Sequence, residues 1–564
     1  MFACSGKEEM VNTETKSSPR ILGMSVIPWI IALLTMFACS GKEEIVMTYS
    51  SSNPEILVKG SAFRGINGVA WGPDNLIWMG SVWTGTLVAV DPETGEIRHT
   101  VEAANGPDDL AFHPDGRLFW NDIAYGEIGT RTPGGETSIA ATIGAGNNGM
   151  AFSPEGRLFV SQLFLGTNLY EIDPDGKKDP RVITDLGNNA SNGMNVGPDG
   201  MLYGSGNLAN NVIRIDVDTG KWTVLATGVG VPSSIKFNHK GELHVVDDAG
   251  GTVSKVDLKS GKVELVATLP WSGLDNMCFS PDDRLFVSSA SDGYLWEVTG
   301  PDTQRVVIEG GLGWPGGVAL AEAQGRTNLV VVDTFAIRKF DPVTGEAISA
   351  VRDVTMATDV GWMLTVSNHG KQLVAASWTG NFIKLWDPEK NGMVTNFDQF
   401  KAPLNAISLG DDIVFSDAAG SVTRFSPDSP DNPTTLAKDL KQPFGLAYSD
   451  GDLYVSEQGA GRIIQILDGD KVIQPRVVKD GLDAPQGLAI SKGQLFVVEA
   501  GAGKLLAIDL ASGNLLSLAD GMEFTTETPV FSMMKTWASA SVAVSGNTAY
   551  ITGTHNAVIY KVIF

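Results

Sequence analysis

The sequence predicts an all-β protein built as tandem β-propellers, two six-bladed rings of four-stranded blades. Three observations predict this fold. A phrase of about fifteen residues, seen clearly at 148–162 and 275–289, recurs twelve times at intervals of about forty residues. Short apolar runs alternate with turn signals inside every repeat, and glycine, at 65 of 564 residues, far outnumbers proline, at 27. A period near forty with short strands is typical of propellers, in which each repeat forms one blade.

Each repeat divides into four strands. The first is a short apolar run, as at 69–71, and it ends at a Pro-Asp-Gly turn or its equivalent. The second is rich in Leu, Phe, Tyr and Val, as at 157–161. The third ends in a five-residue pattern, Asp-Pro-Glu-Thr-Gly at 91–95, which favours a hairpin closed by a left-handed glycine. The fourth strand is the variable one.

Acidic residues recur where the second strand ends. We expect these carboxylates to accept hydrogen bonds from backbone N–H groups of neighbouring turns, and so to hold the blades together. They are Asp122, Asp247, Asp333, Asp417, Glu457 and Glu499.

Twelve blades in a single ring would leave a wide empty channel, so the repeats predict two rings. Propellers commonly close by letting a strand from elsewhere in the chain complete the last blade, which removes open sheet edges. We expect 55–59 to close ring one against 293–298, and 305–309 to close ring two against 557–563. The boundary then falls at 300–302. The chain divides into a signal peptide and tether at 1–48, ring one at 49–300 and ring two at 301–564.

The net charge, the number of cysteines and the context of one glycine-rich motif each argue against a class of partner or cofactor. The chain carries 41 basic and 65 acidic residues, a net charge of −24, which repels the phosphates of nucleic acids. Three cysteines are too few for a disulfide framework or a Cys-based zinc finger. Residues 144–149 fit the pattern Gly-x-Gly-x-x-Gly, but they lead into a strand rather than a helix. We therefore expect no nucleotide cofactor.

The N-terminal region has the pattern of an export signal. An apolar run at 21–37 is short for a membrane span and suits a signal-peptide core. It is followed by Ala38-Cys39-Ser40, which resembles a bacterial lipoprotein signal in which Cys39 would be acylated. The alternative is an ordinary secretory signal cut near Ala38. We expect a cell-envelope protein, anchored to the outer membrane or periplasmic, that contacts the membrane only through the lipid.

One column of polar residues predicts a metal site in ring one. The first residue of each innermost strand can point into the axial channel, and in ring one all six such residues are short and carry oxygen. An oxygen-only cage with two carboxylates suits calcium. The alternative is that these residues merely cap turns, but the same column in ring two, read as Gly316, Trp362, Asn405, Phe444, Gln486 and Ala540, is not uniformly polar. The ring-one column is Asn67, Asp108, Asn148, Asn192, Ser233 and Asp275.

Two of these repeats resemble a known family. Residues 191–203 are similar to the Pro-Asn-Gly motif, and residues 274–288 to the Asp-Gly motif, of the gluconolactonase, senescence-marker-protein and paraoxonase superfamily. The resemblance implies a six-bladed, calcium-dependent hydrolase over roughly residues 60–300. It implies that Asn192 is a metal ligand and that Asp275 is both a ligand and the candidate base, with Asn276 beside it in the substrate site.

The same resemblance extends to further positions and has departures. Asn148 matches another ligand position, whereas the family's first-blade Glu ligand is replaced by Asn67. We expect Asp108 to restore the lost charge from the next blade and to share the catalytic role. The paraoxonases' catalytic His pair has no counterpart. Ring two is similar only to the general repeat of NHL-type and streptogramin-lyase propellers.

Ring two contains a distinctive insertion. About a dozen extra residues precede blade 12, and they are rich in Met and aromatic side chains, including Trp537. Together with Trp362 and Phe444 they could cover an apolar pocket for a substrate, or they could be a hydrophobic plug in the channel. Both interpretations stay open.

The functional classes that remain are three. The first is a metal-dependent lactonase or esterase acting on a small molecule in the ring-one funnel. The second is a non-catalytic binding or scaffold lipoprotein of the envelope that uses the propeller faces for a ligand or a protein partner. The third is a lyase of the streptogramin type. The polar column favours catalysis, and the absent Glu and His favour binding.

Overall fold

The computed structural model describes residues 53–102, 105–354, 358–526 and 539–564. In these ranges it is all-β: twelve four-stranded antiparallel sheets without an α-helix, arranged as tandem propellers. The predicted fold class is confirmed. Two short 3-10 turns, Gly187–Asn189 and Gln458–Ala460, interrupt the strands. No helix in these ranges is long and apolar enough to cross a membrane.

Ring one consists of six blades, and each blade takes its four strands consecutively from the chain. In chain order, four to a blade, its strands are Val69–Trp71, Ile77–Ser81, Thr86–Val90 and Ile97–Val101 (blade 1); Pro107–Phe112, Leu118–Asp122, Glu127–Arg131 and Thr137–Thr142 (blade 2); Asn147–Phe152, Leu158–Gln162, Asn168–Ile172 and Arg181–Asp185 (blade 3); Ser191–Val196, Leu202–Gly206, Asn211–Ile215 and Trp222–Thr227 (blade 4); Pro232–Phe237, Leu243–Asp247, Thr252–Val256 and Val263–Thr268 (blade 5); and Leu274–Phe279, Leu285–Ser289, Leu295–Gly300 and Thr303–Ile308 (blade 6).

Ring two also has six blades, but its last blade takes one strand from the start of the described chain. Its strands are Pro315–Ala323, Arg326–Asp333, Ala336–Phe340 and Ala347–Arg352 (blade 7); Thr365–His369, Gln372–Ser377, Phe382–Asp387 and Gly392–Phe397 (blade 8); Pro403–Leu409, Asp412–Asp417, Val422–Ser426 and Ser429–Ala437 (blade 9); Pro443–Ser449, Asp452–Glu457, Arg462–Asp468 and Lys471–Lys479 (blade 10); Pro485–Ser491, Gln494–Glu499, Lys504–Asp509 and Leu515–Ala519 (blade 11); and Val542–Ser545, Thr548–Gly553, Val558–Ile563 and Glu55–Val58 (blade 12).

The contacts between innermost strands show two closed circles. The innermost strand of blade 1 contacts that of blade 6, and the innermost strand of blade 7 contacts that of blade 12. Apolar side chains fill the space between successive blades, as where Phe286 of blade 6 packs with Met79 of blade 1 in one buried cluster. Burial between blades is therefore what joins the sheets into rings.

The predicted closure of both rings was wrong. Glu55–Val58 pairs antiparallel with Val558–Ile563 of ring two, with Ile56 opposite Tyr560. The strand expected to close ring two, Thr303–Ile308, instead pairs with Leu295–Gly300 and completes blade 6 of ring one. Ring one thus extends past residue 300 and closes without a borrowed strand. Either strand can occupy an outermost position, because main-chain hydrogen bonds supply most of the pairing there.

The chain crosses between the rings twice, and the two crossings lie side by side. Gly60 lies where the chain leaves ring two, and it forms an isolated parallel bridge with Leu312, where the chain returns to ring two. The Ser61 N–H donates to the Leu312 carbonyl oxygen at 3.0 Å. A Cβ on Gly60 would lie 2.6 Å from the carbonyl oxygen of Ala557, which explains why glycine stands at this crossing. Ring one is therefore an insertion between two parts of ring two.

The recurrent turns form as the sequence predicts. In the pattern at 91–95, Asp91 Oδ1 accepts hydrogen bonds from the backbone N–H groups of Glu93 and Thr94, and Gly95 has φ of 71°. Side-chain oxygens of the acidic residues at the second-strand ends also accept backbone hydrogen bonds as expected. Asp247 Oδ1, for example, accepts from Val231 and Gly250, at 2.9 and 3.0 Å.

We call the end of each axial channel at which the innermost strands begin the mouth of that ring. The turns between the second and third strands lie at the same end. The two rings contact each other through such turns: Phe335 of blade 7 packs on Trp83 of blade 1 with ring centroids 4.9 Å apart. Arg64, which leads into blade 1, donates from Nη1 to the carbonyl oxygen of Thr554 in blade 12 at 3.1 Å.

A buried ionic cluster adds to this contact. Asp292, in the mouth-side turn of blade 6, accepts hydrogen bonds from the guanidinium groups of Arg338 and Arg352 of blade 7, with Arg352 Nε 2.6 Å from Asp292 Oδ2. Arg338 also donates from Nε to Asp333 at 2.8 Å. Two cations and two carboxylates thus neutralise each other out of water, between the mouth-side loops of the two rings.

Candidate functional site

The six predicted residues of the ring-one column occupy equivalent places at the mouth. Each precedes or begins an innermost strand, and each is at least nine-tenths buried, with Asp108 7% and Asp275 5% exposed. Most of these strands begin with a shift in register against the second strand, as between Pro107 and Leu110. This bulge turns the first residues of the strand toward the axis.

The two carboxylates of the column, Asp108 and Asp275, lie in surroundings that disfavour their charged form. Burial raises the pKa of Asp108 to about 8, with the neighbouring Asp109 and Asp122 carboxylates adding to the effect. Burial likewise raises the pKa of Asp275 well above its ordinary range, and the next contributions come from Asp108 and Asp248. No Lys or Arg in the described ranges forms an ion pair with either carboxylate. In the absence of a nearby cation, both carboxyl groups therefore favour the protonated form.

Asn67 is placed differently from the ligand that the sequence suggests. Its Nδ2 donates a hydrogen bond to Asp275 Oδ2 at 3.0 Å, and its Oδ1 accepts one from the backbone N–H of Val82 at 3.2 Å. Both ends of the amide are thus engaged by protein groups. In this arrangement Asn67 orients Asp275 and is a positioning residue.

Two other column residues have side-chain oxygens without a protein partner among the described residues. Asn148 Oδ1 and Ser233 Oγ are buried without a hydrogen-bond partner among the described residues. Buried oxygens without partners are costly unless a ligand or ion satisfies them. Together with Asp108, Asp275 and the Asn192 amide they give a donor set of oxygens alone. Within the described ranges, no three acidic, His or Cys side chains come together as a metal-binding group.

Sequence reasoning missed Asp109, which lies next to the column. It is 1% exposed, its Oδ2 accepts from the Met150 N–H at 2.9 Å, and its Oδ1 accepts from Asn276 Nδ2 at 2.9 Å. Lys236 Nζ lies 4.0 Å from the same Oδ1. The sequence does distinguish this position: glycine follows the column residue in blades 1, 3 and 4, whereas in blade 2 a second Asp follows it.

Asn276, predicted to bind substrate, belongs to this inner network. Its Oδ1 accepts a hydrogen bond from Ser234 Oγ at 2.9 Å while its Nδ2 binds Asp109. With both ends of its amide occupied and 5% exposure, it supports the site from inside the channel. The structure does not bring it to a surface that a substrate would meet.

The predicted ring-two column is out of register at two places. Pro403 pairs with Asp417 as Pro232 pairs with Asp247, so Leu404, not Asn405, is equivalent to Ser233. Blade 8 aligns in the same way, and its column residue is Leu364 rather than Trp362. The corrected column is Gly316, Leu364, Leu404, Phe444, Gln486 and Ala540. Its contrast with ring one is greater than the sequence suggested.

Of the ring-two residues predicted to bind substrate, two lie among the described residues, and they are in different parts of the ring. Phe444 is 2% exposed and packs with Leu364, Leu404 and Trp378 in one apolar cluster at the ring-two mouth. Trp362 is at the ring contact, with its centroid 5.8 Å from that of Phe335. Trp537 and the predicted lipidation site Cys39 lie outside the described residues.

Comparisons with known proteins give distant likenesses. No family model matches the chain, and no curated protein does. Among solved structures, the extracellular domain of a provisionally assigned one-component system from B. thetaiotaomicron has 11% identity and a TM-score of 0.30, covering 90% of this chain and 84% of its own.

Two gluconolactonase structures match about half of the chain. One, provisionally assigned, has 16% identity and a TM-score of 0.37 over 46% of this chain and 93% of its own. The other, from Xanthomonas campestris, has 19% identity and a TM-score of 0.34 over 44% of this chain and 86% of its own. Because all three TM-scores lie below 0.5, the propeller architecture rests on the strand pairing rather than on these likenesses.

Proposed function

We propose that ring one binds a divalent cation, calcium, at its mouth and hydrolyses a small lactone or ester there. The observation that carries the proposal is the position of Asp108 and Asp275: two carboxylates buried in equivalent places at the mouth, without an ion pair to any cationic side chain of the described residues. Burial raises the pKa of both. Such a pair is stable as two anions only if a cation offsets the charge.

The donor chemistry fits calcium. Asp108, Asp275, Asn148, Asn192 and Ser233 offer carboxylate, amide and hydroxyl oxygens, and calcium takes six to eight oxygen ligands, water included. Soft metals would favour thiolate or imidazole, and none of these five residues supplies either. Asn67 would hold Asp275 in place through its 3.0 Å hydrogen bond rather than ligate.

The chain's own residues would supply the proton chemistry of the hydrolysis. A bound divalent ion polarises a substrate carbonyl and stabilises the negative charge that develops on its oxygen. Asp275, oriented by Asn67, would accept the proton of the attacking water, with Asp108 as the second candidate. Asp109 and Asn276 fix the innermost strands beneath them.

The test is metal analysis combined with hydrolysis of a lactone and ester panel, with and without chelator. Wild-type protein should carry about one calcium per chain and lose turnover with the metal, and Asp275→Asn should lose both. Asp417→Asn in ring two is the matched control, because that carboxylate binds backbone N–H groups at a second-strand end. Protein that neither holds calcium nor gains thermal stability from it would contradict the proposal.

A non-catalytic binding protein is the second candidate. Two observations support it. The Asn67 amide is engaged at both ends by protein groups and is not free to bind a metal. Among the described residues, no third acidic, His or Cys side chain joins the two carboxylates in a metal-binding group. In that case calcium would raise the melting temperature, Asp275→Asn would lower it, and no substrate of the panel would turn over. Placement of the protein in the cell envelope through Cys39 belongs to both candidates and is equally a proposal.

A further inference from the structure

The mouth of ring one is covered on one side by ring two. Val82 and Trp83 follow the second strand of blade 1, and Ile123 follows that of blade 2, so all three lie on the rim of the mouth. Val82 is also next to the site itself, because its N–H binds the Asn67 amide that holds Asp275. This part of the rim is apolar.

Ring two contributes aromatic side chains to the same patch. Phe335 packs against Trp83 at 4.9 Å between centroids, and Trp362 packs edge-on to Phe335 at 5.8 Å. Trp83 and Phe335 are buried in one cluster with Val82 and Ile123, and Trp362 packs against this cluster while staying partly exposed. The opposite side of the rim is polar, since Asn207 and Asp248 occupy the corresponding turns of blades 4 and 5.

Trp362 has two unusual properties. Its backbone has φ of 56°, a left-handed conformation that tryptophan seldom adopts and that the surrounding structure must stabilise. Its indole Nε1 is buried and has no hydrogen-bond partner among the described residues. A buried N–H donor without a partner among the described residues is costly, so this indole is held in place by packing rather than by hydrogen bonding.

We infer that ring two completes the ring-one site, with Trp362 as the specificity-determining residue and Phe335 as the residue that holds it in position. The exposed part of the Trp362 ring would contact the part of a substrate that projects from the mouth. The inference rests on the proposed function of ring one. The apolar wall should select for an apolar substituent, because covering methylene groups there removes them from water.

The experiment compares two lactones that share a six-membered ring: δ-valerolactone, which has no side chain, and δ-decalactone, which carries a pentyl group. In the full chain, Trp362→Leu and Phe335→Leu should each lower kcat/KM for δ-decalactone about tenfold and leave that for δ-valerolactone within about twofold. Trp71→Leu is the matched control. Trp71 is also a partly buried tryptophan whose indole nitrogen has no hydrogen-bond partner among the described residues, but it lines the far end of the ring-one channel.

A binding measurement separates the inference from the proposed function. The probe is 2-pentylcyclopentanone, a ketone that cannot be hydrolysed, titrated by calorimetry in the presence of chelator. Binding to the wild type that weakens about tenfold in Trp362→Leu, but not in Trp71→Leu, supports the wall even if no lactone is turned over.

Two results would overturn the inference. One is hydrolysis of both lactones by a wild-type protein that does not bind the ketone, which would leave the proposed function intact. The other is an equal loss on both lactones in Trp362→Leu, which would mark Trp362 as a residue of the fold alone.

Discussion

The Asn67 side chain, in blade 1, donates a hydrogen bond from Nδ2 to Oδ2 of Asp275, in blade 6, at 3.0 Å. This bond joins the first and last blades of a ring that closes without a borrowed strand. It also lies on the axis where the candidate site is formed. The same amide therefore orients the candidate base and adds a polar contact to the apolar packing that closes the ring.

Asn67→Asp tests that relationship. A carboxylate in place of the amide removes the donor and puts a third negative charge beside Asp275 and Asp108. We expect the metal-free protein to be destabilised by about 1–3 kcal/mol, because buried partners lose their hydrogen bonds. Calcium should bind more tightly than in the wild type, since the site gains a charged ligand. Melting temperatures with chelator and with calcium measure both effects. An unchanged calcium response would contradict a cation at this mouth.

Asp275→Asn and Asn192→Ala should differ in severity. The first removes a full charge from the site and the second removes only a dipole, so the first should weaken calcium binding about tenfold or more and the second less. Calorimetric titration of calcium measures the ranking. Gln486→Ala, in the ring-two column, is the comparison variant and should leave calcium affinity unchanged. Equal losses in Asp275→Asn and Gln486→Ala would show that the effect is on folding.

The contact between rings should weaken in acid. Burial by itself would raise the pKa of Asp292, but the Arg338 and Arg352 guanidinium groups hold it below its ordinary range. An acid with a depressed pKa contributes stability that is present above its unfolded pKa, about 4, and is lost as pH falls toward the folded value. Calorimetry should show the ring–ring contact stable from pH 5 to 7 and increasingly destabilised below pH 4.

Asp292→Asn should reproduce that effect at neutral pH. Two buried arginines would lose a shared counter-charge, at a cost of about 3–5 kcal/mol. We expect the melting transitions of the two rings to separate at pH 7. Asp216→Asn, in an exposed turn of blade 4, is the control for loss of a carboxylate. Identical melting of Asp292→Asn and wild type would mean that other contacts hold the rings together.

Cys39→Ser tests the predicted lipid tether. If Cys39 is acylated, the substitution should release the protein from the membrane fraction, because a cleaved signal sequence cannot anchor it. Fractionation of cells with immunodetection measures this. A variant that stays with the membrane and keeps the apolar run at 21–37 would indicate a different means of attachment.

Most of the fold could be predicted from the sequence repeat, but the pairing of the outermost strands that close the two rings could not. The period and the alternation specify where strands and turns lie, since they arise from burial between blades. Glu55–Val58 and Thr303–Ile308 are both short and half-exposed, and their pairing comes from main-chain hydrogen bonds that carry little sequence information. Nothing in their side chains distinguished one outermost position from the other.

The site was predicted as a set of residues but not as a set of roles. Strict alternation would point Asp108 into the channel and Asp109 away from it, but the bulge at the start of the strand lets both contribute to the axial network. The role of Asn67 depends on Asp275 in the adjacent blade 6, which is 208 positions away in sequence. In ring two, the missing Pro-Asp-Gly turns left the register of Trp362 and Asn405 without a local marker.

The pairing of Ile56 with Tyr560 has a consequence for synthesis on the ribosome. The first strand of ring two leaves the ribosome about 500 residues before its partner is made. All of the ring-one blades, by contrast, are complete as soon as Ile308 has emerged. Vectorial folding should therefore finish ring one first and leave Glu55–Val58 as an unpaired edge, exposed to chaperones or to another nascent chain, until Val558–Ile563 has been made.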